Sequence, residues 1–269
     1  EFGHPGIPIN SFLGTLIITE GGLWGKLTGV SVSIVAVFVI FGAILNAGEA
    51  GQGFMNIAIA AAGRLKGGAA KVSVISSALF GSISGSASAN VASTGMVTLP
   101  TMIKLGYSKK IAGAVEAVAS TGGQIMPPLM GAGAFVMVEL TGIPYSQIII
   151  AAFIPALLYF FAIWLGVNRY AELYDLKPYK VEMLPQISTV IKTALFFLIP
   201  FSVLLAFMYS GYTPQFSAAI AILSGLLLLF FDINLNFSWK TTKKRIVNAS
   251  LFAGRQVSIL SLIHISEPT

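Results

Sequence analysis

Two clusters of small and helix-breaking residues interrupt an otherwise apolar stretch at residues 78–131. These clusters are the candidate ligand-binding segments of the chain. The first cluster covers residues 81–88, and the second covers residues 121–128. Glycine and serine weaken the interior of a helix, and each proline removes a backbone donor. In hydrocarbon, every backbone group freed in this way costs several kcal/mol unless a partner satisfies it. Interrupted membrane helices are therefore typical of a transporter's substrate and ion site.

The clusters offer oxygen ligands for a cation and backbone amides for an anion. Hydroxyl and carbonyl oxygens suit Na⁺ without adding net charge, and the amides at a helix N-terminus suit a carboxylate. The candidate substrate- and ion-binding residues are Ser84, Gly85, Ser86, Ser88, Asn90, Thr121, Gly122, Gly123, Gln124, Pro127 and Pro128. Among them, the expected Na⁺ ligands are Ser84, Gly85, Ser86, Thr121 and Gly122. The alternative interpretations are close helix packing through small residues and a simple kink at the proline pair.

The composition predicts an all-α polytopic membrane protein. Of the 269 residues, 55% are hydrophobic and 10% are charged, whereas a soluble domain carries about 25% charged residues. The net charge of +6 comes from basic residues in short loops, which favours cytoplasmic loops over nucleic-acid binding. The chain has no cysteine, which excludes disulfides and cysteine-ligated metals. It begins with Glu1 and shows no signal peptide, so we expect an internal piece of a larger protein.

The stretch at residues 69–107 has basic residues at both ends. Cytoplasmic loops collect lysine and arginine, so both ends are predicted to lie on the cytoplasmic side. We therefore expect a re-entrant hairpin with its tip at the first cluster. Each arm of about 15 residues would reach roughly 22 Å, past the middle of the bilayer core. The basic residues are Arg64, Lys66 and Lys71 before the hairpin, and Lys104, Lys109 and Lys110 after it.

The other segments follow an alternation of apolar runs and polar loops. Residues 1–28 are expected to form an outer loop or interfacial segment, and residues 49–68 an amphipathic helix along the membrane interface. A crossing broken in its middle is predicted at residues 109–140, and residues 168–188 form a cytoplasmic linker. Spans are predicted at residues 27–47, 147–167, 189–209 and 216–231. Residues 238–245 are basic and expected to be cytoplasmic, and residues 261–269 have the character of a non-native tail.

Glu116 is an ionisable residue inside the predicted broken crossing, which makes it a functional candidate. We favour the simpler interpretation that it lies near the cytoplasmic rim and pairs with a neighbouring lysine. The apolar spans contain almost no other acids or histidines, so the pattern does not indicate an enzyme.

Three runs of the sequence resemble a known transporter family. They are TEGGLWGKLTGVSVS at residues 19–33, GSISGSASANVASTGMVTLP at residues 81–100 and GGQIMPPLMG at residues 122–131. Together they resemble the large membrane subunit of tripartite ATP-independent periplasmic (TRAP) transporters. The resemblance is greatest to the fused permeases that work with TAXI-type binding proteins, and it covers about residues 5–256.

The resemblance implies an elevator-type secondary transporter with two inverted repeats, each with one re-entrant hairpin and one broken helix. Residues 29–167 would be the first repeat, and residues 189–260 the start of the second. The implied partners are a periplasmic substrate-binding protein, the small-subunit helices, the missing C-terminal half of the permease and the lipid bilayer. The implied location is the inner membrane of a bacterium or archaeon. No cofactor is implied other than Na⁺ as the coupling ion.

The leading functional hypothesis is a permease component of a sodium-coupled importer of organic acids. Proton coupling in place of sodium coupling stays open at this point. The alternatives are a channel lined by small residues, a membrane-embedded enzyme and an inactive structural fragment of a larger permease. A channel needs a continuous polar path, whereas the polar residues here cluster at two points.

Overall fold

The computed structural model describes residues 6–19, 22, 24–179, 181, 184–232, 236–237 and 239–266, and this part of the chain is almost entirely helical. The predicted all-α class is confirmed for these residues. The helices are α1 Ile9–Ile18, α2 Lys26–Val30, α3 Ala36–Ala47, α4 Ala50–Ala62, α5 Gly68–Ser84, α6 Ala87–Lys104, α7 Lys109–Thr121, α8 Ala132–Thr141, α9 Tyr145–Leu173, α10 Ile187–Tyr209, α11 Pro214–Leu228 and α12 Trp239–Ser266. A π-helical turn, Ser31–Val35, joins α2 to α3.

Three helical segments among the described residues are long and apolar enough to cross a membrane: Thr28–Ala47, Tyr145–Leu173 and Ile187–Tyr209. The middle one, α9, exposes large apolar side chains along much of its length, including Phe153 and Leu158. Such a surface is unfavourable in water and suits contact with lipid. The helices therefore fit a polytopic membrane protein, as the composition predicts.

Both ends of the described chain are helical. Within the segment expected to be an outer loop or interfacial segment, residues Ile9–Ile18 form the helix α1. Most of the basic residues at 238–245 belong to the first turns of α12, which continues to Ser266 and so includes residues 261–266 of the suspected tail. Residues 1–5 and 267–269 lie outside the described part of the chain.

Helix α9 ends at Leu173, six residues after the predicted end of this span. Its last turns carry polar residues that bond to each other along the helix. Asn168 Nδ2 donates to Glu172 Oε1 at 2.7 Å, and Arg169 pairs with Glu172 at 2.9 Å. Such contacts between residues three and four apart stabilise helical turns. The linker to α10 is correspondingly shorter than predicted.

Helix α4, expected to lie along the interface, packs between α5 and α10. The ring of Phe54 contacts Phe197 of α10 and Phe80 of α5, with centroids 4.6 Å and 6.2 Å apart. Asn56 Nδ2 donates to Thr193 Oγ1 at 3.1 Å. The apolar face of α4 is therefore covered by other helices. Its position relative to the membrane surface stays a prediction.

Candidate functional site

Helices α5 and α6 form an antiparallel hairpin whose tip lies inside the first cluster. Gly85 ends α5 with a left-handed φ of 57°, and its N–H donates to the Gly81 carbonyl at 3.0 Å. Ser86 begins α6, because its Oγ accepts from the Ala89 N–H at 3.4 Å. Glycine after the last helical turn and serine at an N-cap are the residues that these two positions favour. The local sequence thus places the turn.

The second cluster interrupts the helix that follows the hairpin. Helix α7 ends at Thr121, one 3₁₀ turn covers Gly122–Gln124, and the chain does not return to α-helix until Ala132. The N–H of Gly131 donates to the Gln124 carbonyl at 2.7 Å, which closes this irregular segment on itself. The backbone therefore leaves the helix at the predicted place.

The hairpin tip and the helix break lie in direct contact. The N–H of Leu129 donates to the Ser82 carbonyl at 3.2 Å. A Cβ atom added to Gly123 would lie 2.7 Å from the Gly81 Cα, so the two backbones touch because neither residue has a side chain. The structure thus brings the two clusters together, about 40 residues apart in sequence.

Asn90 holds the contact between the three helices. It is fully buried on α6, and its Nδ2 donates to the Ser77 carbonyl of α5 at 2.9 Å. The same atom donates to the Ser120 carbonyl of α7 at 3.3 Å. One amide side chain therefore connects both arms of the hairpin to the helix just before the break. Asn90 is a candidate residue in a positioning role, since its donors are used within the protein.

Ser84 has the one buried side-chain oxygen or nitrogen that lacks a hydrogen-bond partner in the described part of the chain. Buried polar atoms are almost always hydrogen-bonded, so an exception calls for an explanation. Ser84 and Ser86 line a cavity of about 30 Å³ between the tip, α3 and α12, together with Asn46, Phe54, Ile83 and Phe252. This volume suits an ion or one or two waters. The free hydroxyl therefore points to a small ligand at the tip.

The remaining candidates differ in how closely they approach the tip. The Thr121 hydroxyl donates to the Ala117 carbonyl of its own helix at 2.8 Å, so it is directed away from the tip. Gln124 and Ser88 are exposed. Ser88 Oγ lies 3.2 Å from Ser86 Oγ. The buried candidates of the second cluster are Gly122, Gly123, Pro127 and Pro128.

The sequence interpretation missed Asn46, whose position lines the tip cavity from the last turn of α3. Asn46 is a polar residue near the end of an apolar span, and this position could have marked it as a candidate site residue. Within the described residues, no group of three or more His, Asp or Glu side chains that could hold a metal ion occurs. Any cation at the tip would therefore rely on hydroxyl, amide and carbonyl oxygens.

The prediction that Glu116 pairs with a neighbouring lysine is wrong, whereas its position near the cytoplasmic rim stays a prediction. Glu116 is only 1% exposed and faces the hairpin. Its Oε2 accepts from Ser73 Oγ at 2.8 Å and Thr98 Oγ1 at 2.5 Å, and its Oε1 lies 2.5 Å from Thr94 Oγ1. The face of α7 that packs on the hairpin consists of Ala112, Glu116, Ala119 and Ser120. Their spacing turns Glu116 inward, whereas Lys109 and Lys110 are exposed.

Comparison with known proteins gives one family. A family model described as "Tripartite ATP-independent periplasmic transporter, DctM component" matches residues 9–266. Among similar proteins, the uncharacterized protein YgiK of Salmonella typhimurium is 27% identical over 78% of this chain and 49% of its own length. The C4-dicarboxylate TRAP transporter large permease protein DctM of Pseudomonas aeruginosa is 27% identical over 72% and 45%.

A third relative is the ectoine TRAP transporter large permease protein TeaC of Halomonas elongata. It is 30% identical over 48% of this chain and 30% of its own length. The chain thus spans about half the length, or less, of the relatives that it matches.

Proposed function

Because the chain belongs to the DctM component family of tripartite ATP-independent periplasmic transporters, we propose that it forms one part of the ion and substrate site of a sodium-coupled permease for organic acids. The family is one of transporters and not of enzymes, and the apolar helices make the chain a multi-pass membrane protein. Sodium coupling, the carboxylate substrate and the activity of the whole permease belong to the proposal.

The observation that carries the proposal is the unpartnered hydroxyl of Ser84 at the hairpin tip, the first of two helix breaks that lie in contact. We assign the Na⁺ ligands to the Ser84 hydroxyl and to carbonyl oxygens of Gly85 and Ser86, which are hard oxygen ligands. The broken helix would add backbone carbonyls of Thr121 and Gly122, since the Thr121 hydroxyl bonds to its own helix.

The substrate carboxylate would face the N-terminus of α6. This helix has 18 residues, and its first turn presents unpaired backbone amides beside Ser86 and Ser88. Relatives are named as transporters of C4-dicarboxylates, ectoine and isethionate, so members of the family differ in substrate. For this chain we propose an organic acid without naming which one.

The same proposal includes the membrane topology of the hairpin and the other components of the permease. The hairpin α5–α6 would be re-entrant, with its base on the cytoplasmic side of the inner membrane of a bacterium or archaeon. It would move with α7 and α8 as one elevator unit of the first repeat. A periplasmic binding protein would deliver the substrate, and small-subunit helices and a second repeat would complete the permease.

Uptake by the complete permease in proteoliposomes tests this function. With its binding protein present, we expect accumulation of an organic acid when Na⁺ is outside, and loss of accumulation when K⁺ replaces Na⁺. Uptake that is unchanged without Na⁺ would contradict the sodium coupling. Ion flux far above carrier turnover, with no coupled accumulation, would instead indicate a channel.

A further inference from the structure

Glu116 lies in a cage of hydroxyl groups from three helices, before the helix break and apart from the hairpin tip. Ser73 of α5, and Thr94 and Thr98 of α6, contact its two carboxyl oxygens at 2.5–2.8 Å. Ser120, one turn along α7, lies 3.4 Å from Oε1. These four polar neighbours of the carboxyl group are all hydroxyls, and hydroxyls both donate and accept.

The cage can satisfy both forms of the carboxyl group without moving its heavy atoms. Thr94 Oγ1 lies 2.5 Å from Glu116 Oε1 and 2.8 Å from the Asn90 carbonyl oxygen. When Glu116 is ionised, the Thr94 hydroxyl donates to it, as Ser73 and Thr98 do. When Glu116 is protonated, the acid donates to Thr94 Oγ1, and Thr94 donates to the Asn90 carbonyl. Only hydroxyl rotation separates the two arrangements.

The spacing of these oxygens suits a proton and not a metal cation. Oxygen atoms 2.5 Å apart share one hydrogen between them. Oxygen ligands lie about 2.3–2.6 Å from a Ca²⁺ ion, so a cation between two of these oxygens would require them to separate. The cage is therefore distinct in chemistry from the tip, where the Ser84 hydroxyl is free.

The other ionisable groups on the helices packed against α7 are directed elsewhere. Lys71 of α5 donates to Asn168 Oδ1 at 2.5 Å and lies over the Trp164 ring at 5.1 Å. On α9, the Tyr159 hydroxyl donates to the Val118 carbonyl, and Arg169 pairs with Glu172. Lys104 of α6 is exposed, as are Lys109 and Lys110 on α7 itself. On the side of Glu116 that faces α5 and α6, its neighbours are therefore the cage hydroxyls and not these ionisable groups.

A cavity lies beside the cage, between α4, α5 and α6. It has a volume of about 320 Å³, and Thr94 is one of its lining residues. The lining is mainly apolar, and its other polar residues are Asn46, Gln52, Ser76 and Ser93. This space is large enough for several waters, and the polar residues give them hydrogen-bond partners. Thr94 therefore lies both in the wall of a cavity and beside the buried carboxyl group.

We propose that Glu116 is a proton-binding site of the permease, loaded from this cavity through the Thr94 hydroxyl. A hydronium ion in the cavity gives a proton to Thr94 Oγ1 while Thr94 passes its own proton to Glu116 Oε1, and release reverses both transfers. The carboxylate gains one proton and the hydronium ion becomes water, so charge and atoms balance. Because the cage joins both hairpin arms to α7, the proton changes the bonds that hold these helices together. Its effect on uptake rests on the function proposed above.

Infrared spectroscopy of the complete permease tests the site without any transport assay. We expect a carboxylic acid band that appears as the pH is lowered and is absent from Glu116→Gln. The matched control is Glu139→Gln, because Glu139 is exposed on α8, and this variant should keep the band. Thr94→Val should alter the frequency of the band or the pH at which it appears. A spectrum with no band that depends on Glu116 at any pH would overturn the proposal.

The pH dependence of uptake is a second and separable readout. We expect the wild-type rate to change with pH, and the profile of Glu116→Gln to be flat while Glu139→Gln keeps the wild-type profile. If Glu116→Gln keeps the wild-type profile, the proposal fails even though sodium-driven uptake is intact. Conversely, a permease that shows the titrating band but no sodium dependence would contradict the proposed function and leave the proton site standing. A thermal unfolding scan of each variant identifies any that does not fold.

Discussion

At the residue scale, the contact between the two helix breaks depends on positions that have no side chain. Gly81 of α5 and Gly123 of the broken helix touch through their backbones, and a Cβ atom on Gly81 would overlap Gly123. Gly113 of α7 offers a comparison, because nothing lies within 4 Å of where its Cβ atom would be. The same substitution at these two helical glycines should therefore have opposite effects.

We predict that Gly81→Ala lowers the free energy of unfolding by about 2 kcal/mol, since the added methyl group forces two backbones apart. Gly113→Ala should raise it by about 0.5–1 kcal/mol, because alanine favours a helix over glycine. Thermal unfolding in detergent measures both effects. An unchanged midpoint for Gly81→Ala would show that the two breaks do not touch as described.

Some residues of the site could be predicted from the sequence and others could not. The turn at Gly85 and Ser86 and the end of α7 follow from local preferences of glycine, serine and proline, which need no knowledge of the fold. The environment of Glu116 depends on hydroxyls 18 to 43 residues away in sequence. The sequence of α7 around Glu116 does not indicate that these hydroxyls surround it.

At the scale of elements, the hairpin and the broken helix form one packed unit. Asn90 donates to carbonyls on α5 and α7, and Glu116 accepts from α5 and α6. These bonds cross between helices that the sequence joins only through loops. The two sets of contacts hold the tip and the break together, as the elevator movement proposed above requires.

We predict that Asn90→Ala destabilises the protein by about 2 kcal/mol, because two buried carbonyls lose their side-chain donor. The control is Asn10→Ala on α1, which is exposed and should leave the unfolding midpoint unchanged. Thermal unfolding again provides the measurement. Equal midpoints for the two variants would mean that Asn90 does not join these helices.

The packing partners of α4 and the C-terminal end of α9 could not be predicted from the sequence. Phe54, Ile57, Ala58 and Ala61 recur at helical spacing on α4, but only Phe54 and Ala58 are buried, and Ala61 is exposed. The pattern also does not distinguish a lipid surface from the helices α5 and α10. Likewise, α9 continues beyond its apolar run. Polar contacts of Asn168 and Arg169 with Glu172 stabilise these last helical turns.

At the scale of the whole molecule, an ion pair between Arg245 and Glu49 joins distant parts of the chain. Arg245 of α12 pairs with Glu49, which precedes α4, and it also donates to the Phe231 carbonyl at 2.5 Å. The two side chains are 11% and 25% exposed. By contrast, Asp175 pairs with Lys66 at 2.8 Å while 91% exposed. The first pair should therefore contribute more to stability than the second.

We predict that Glu49→Gln lowers the free energy of unfolding by about 2 kcal/mol, since it leaves a mostly buried guanidinium without its carboxylate. Asp175→Asn should have a much smaller effect at neutral pH, because the pair is exposed to solvent. The hydrogen bond from Lys66 lowers the pKa of Asp175, so the small contribution of this pair is present at neutral pH and is lost as the solution becomes acidic. Unfolding midpoints at neutral and acidic pH check both statements, and a larger effect at Asp175 would contradict them.

The re-entrant topology can be tested because the chain has no cysteine of its own. We predict that Arg64→Cys and Lys109→Cys, one on each side of the hairpin, react with a membrane-impermeant thiol reagent from the cytoplasmic face. Thr141→Cys, after the broken helix, should react from the opposite face. All three positions are exposed in the structure. Reaction of residues 64 and 109 from opposite faces would mean that the hairpin crosses the membrane.

Equilibrium binding of radioactive sodium to the purified permease measures whether Ser84, at the hairpin tip, binds Na⁺. We expect saturable binding that K⁺ does not displace, and a dissociation constant about tenfold higher in Ser84→Ala, equivalent to ~1.4 kcal/mol. Ser82→Ala is the matched control, because its hydroxyl already donates to the Leu79 carbonyl at 2.7 Å, and it should bind as the wild type does. Wild-type permease without saturable sodium binding, or Ser84→Ala with unchanged affinity, would contradict the account.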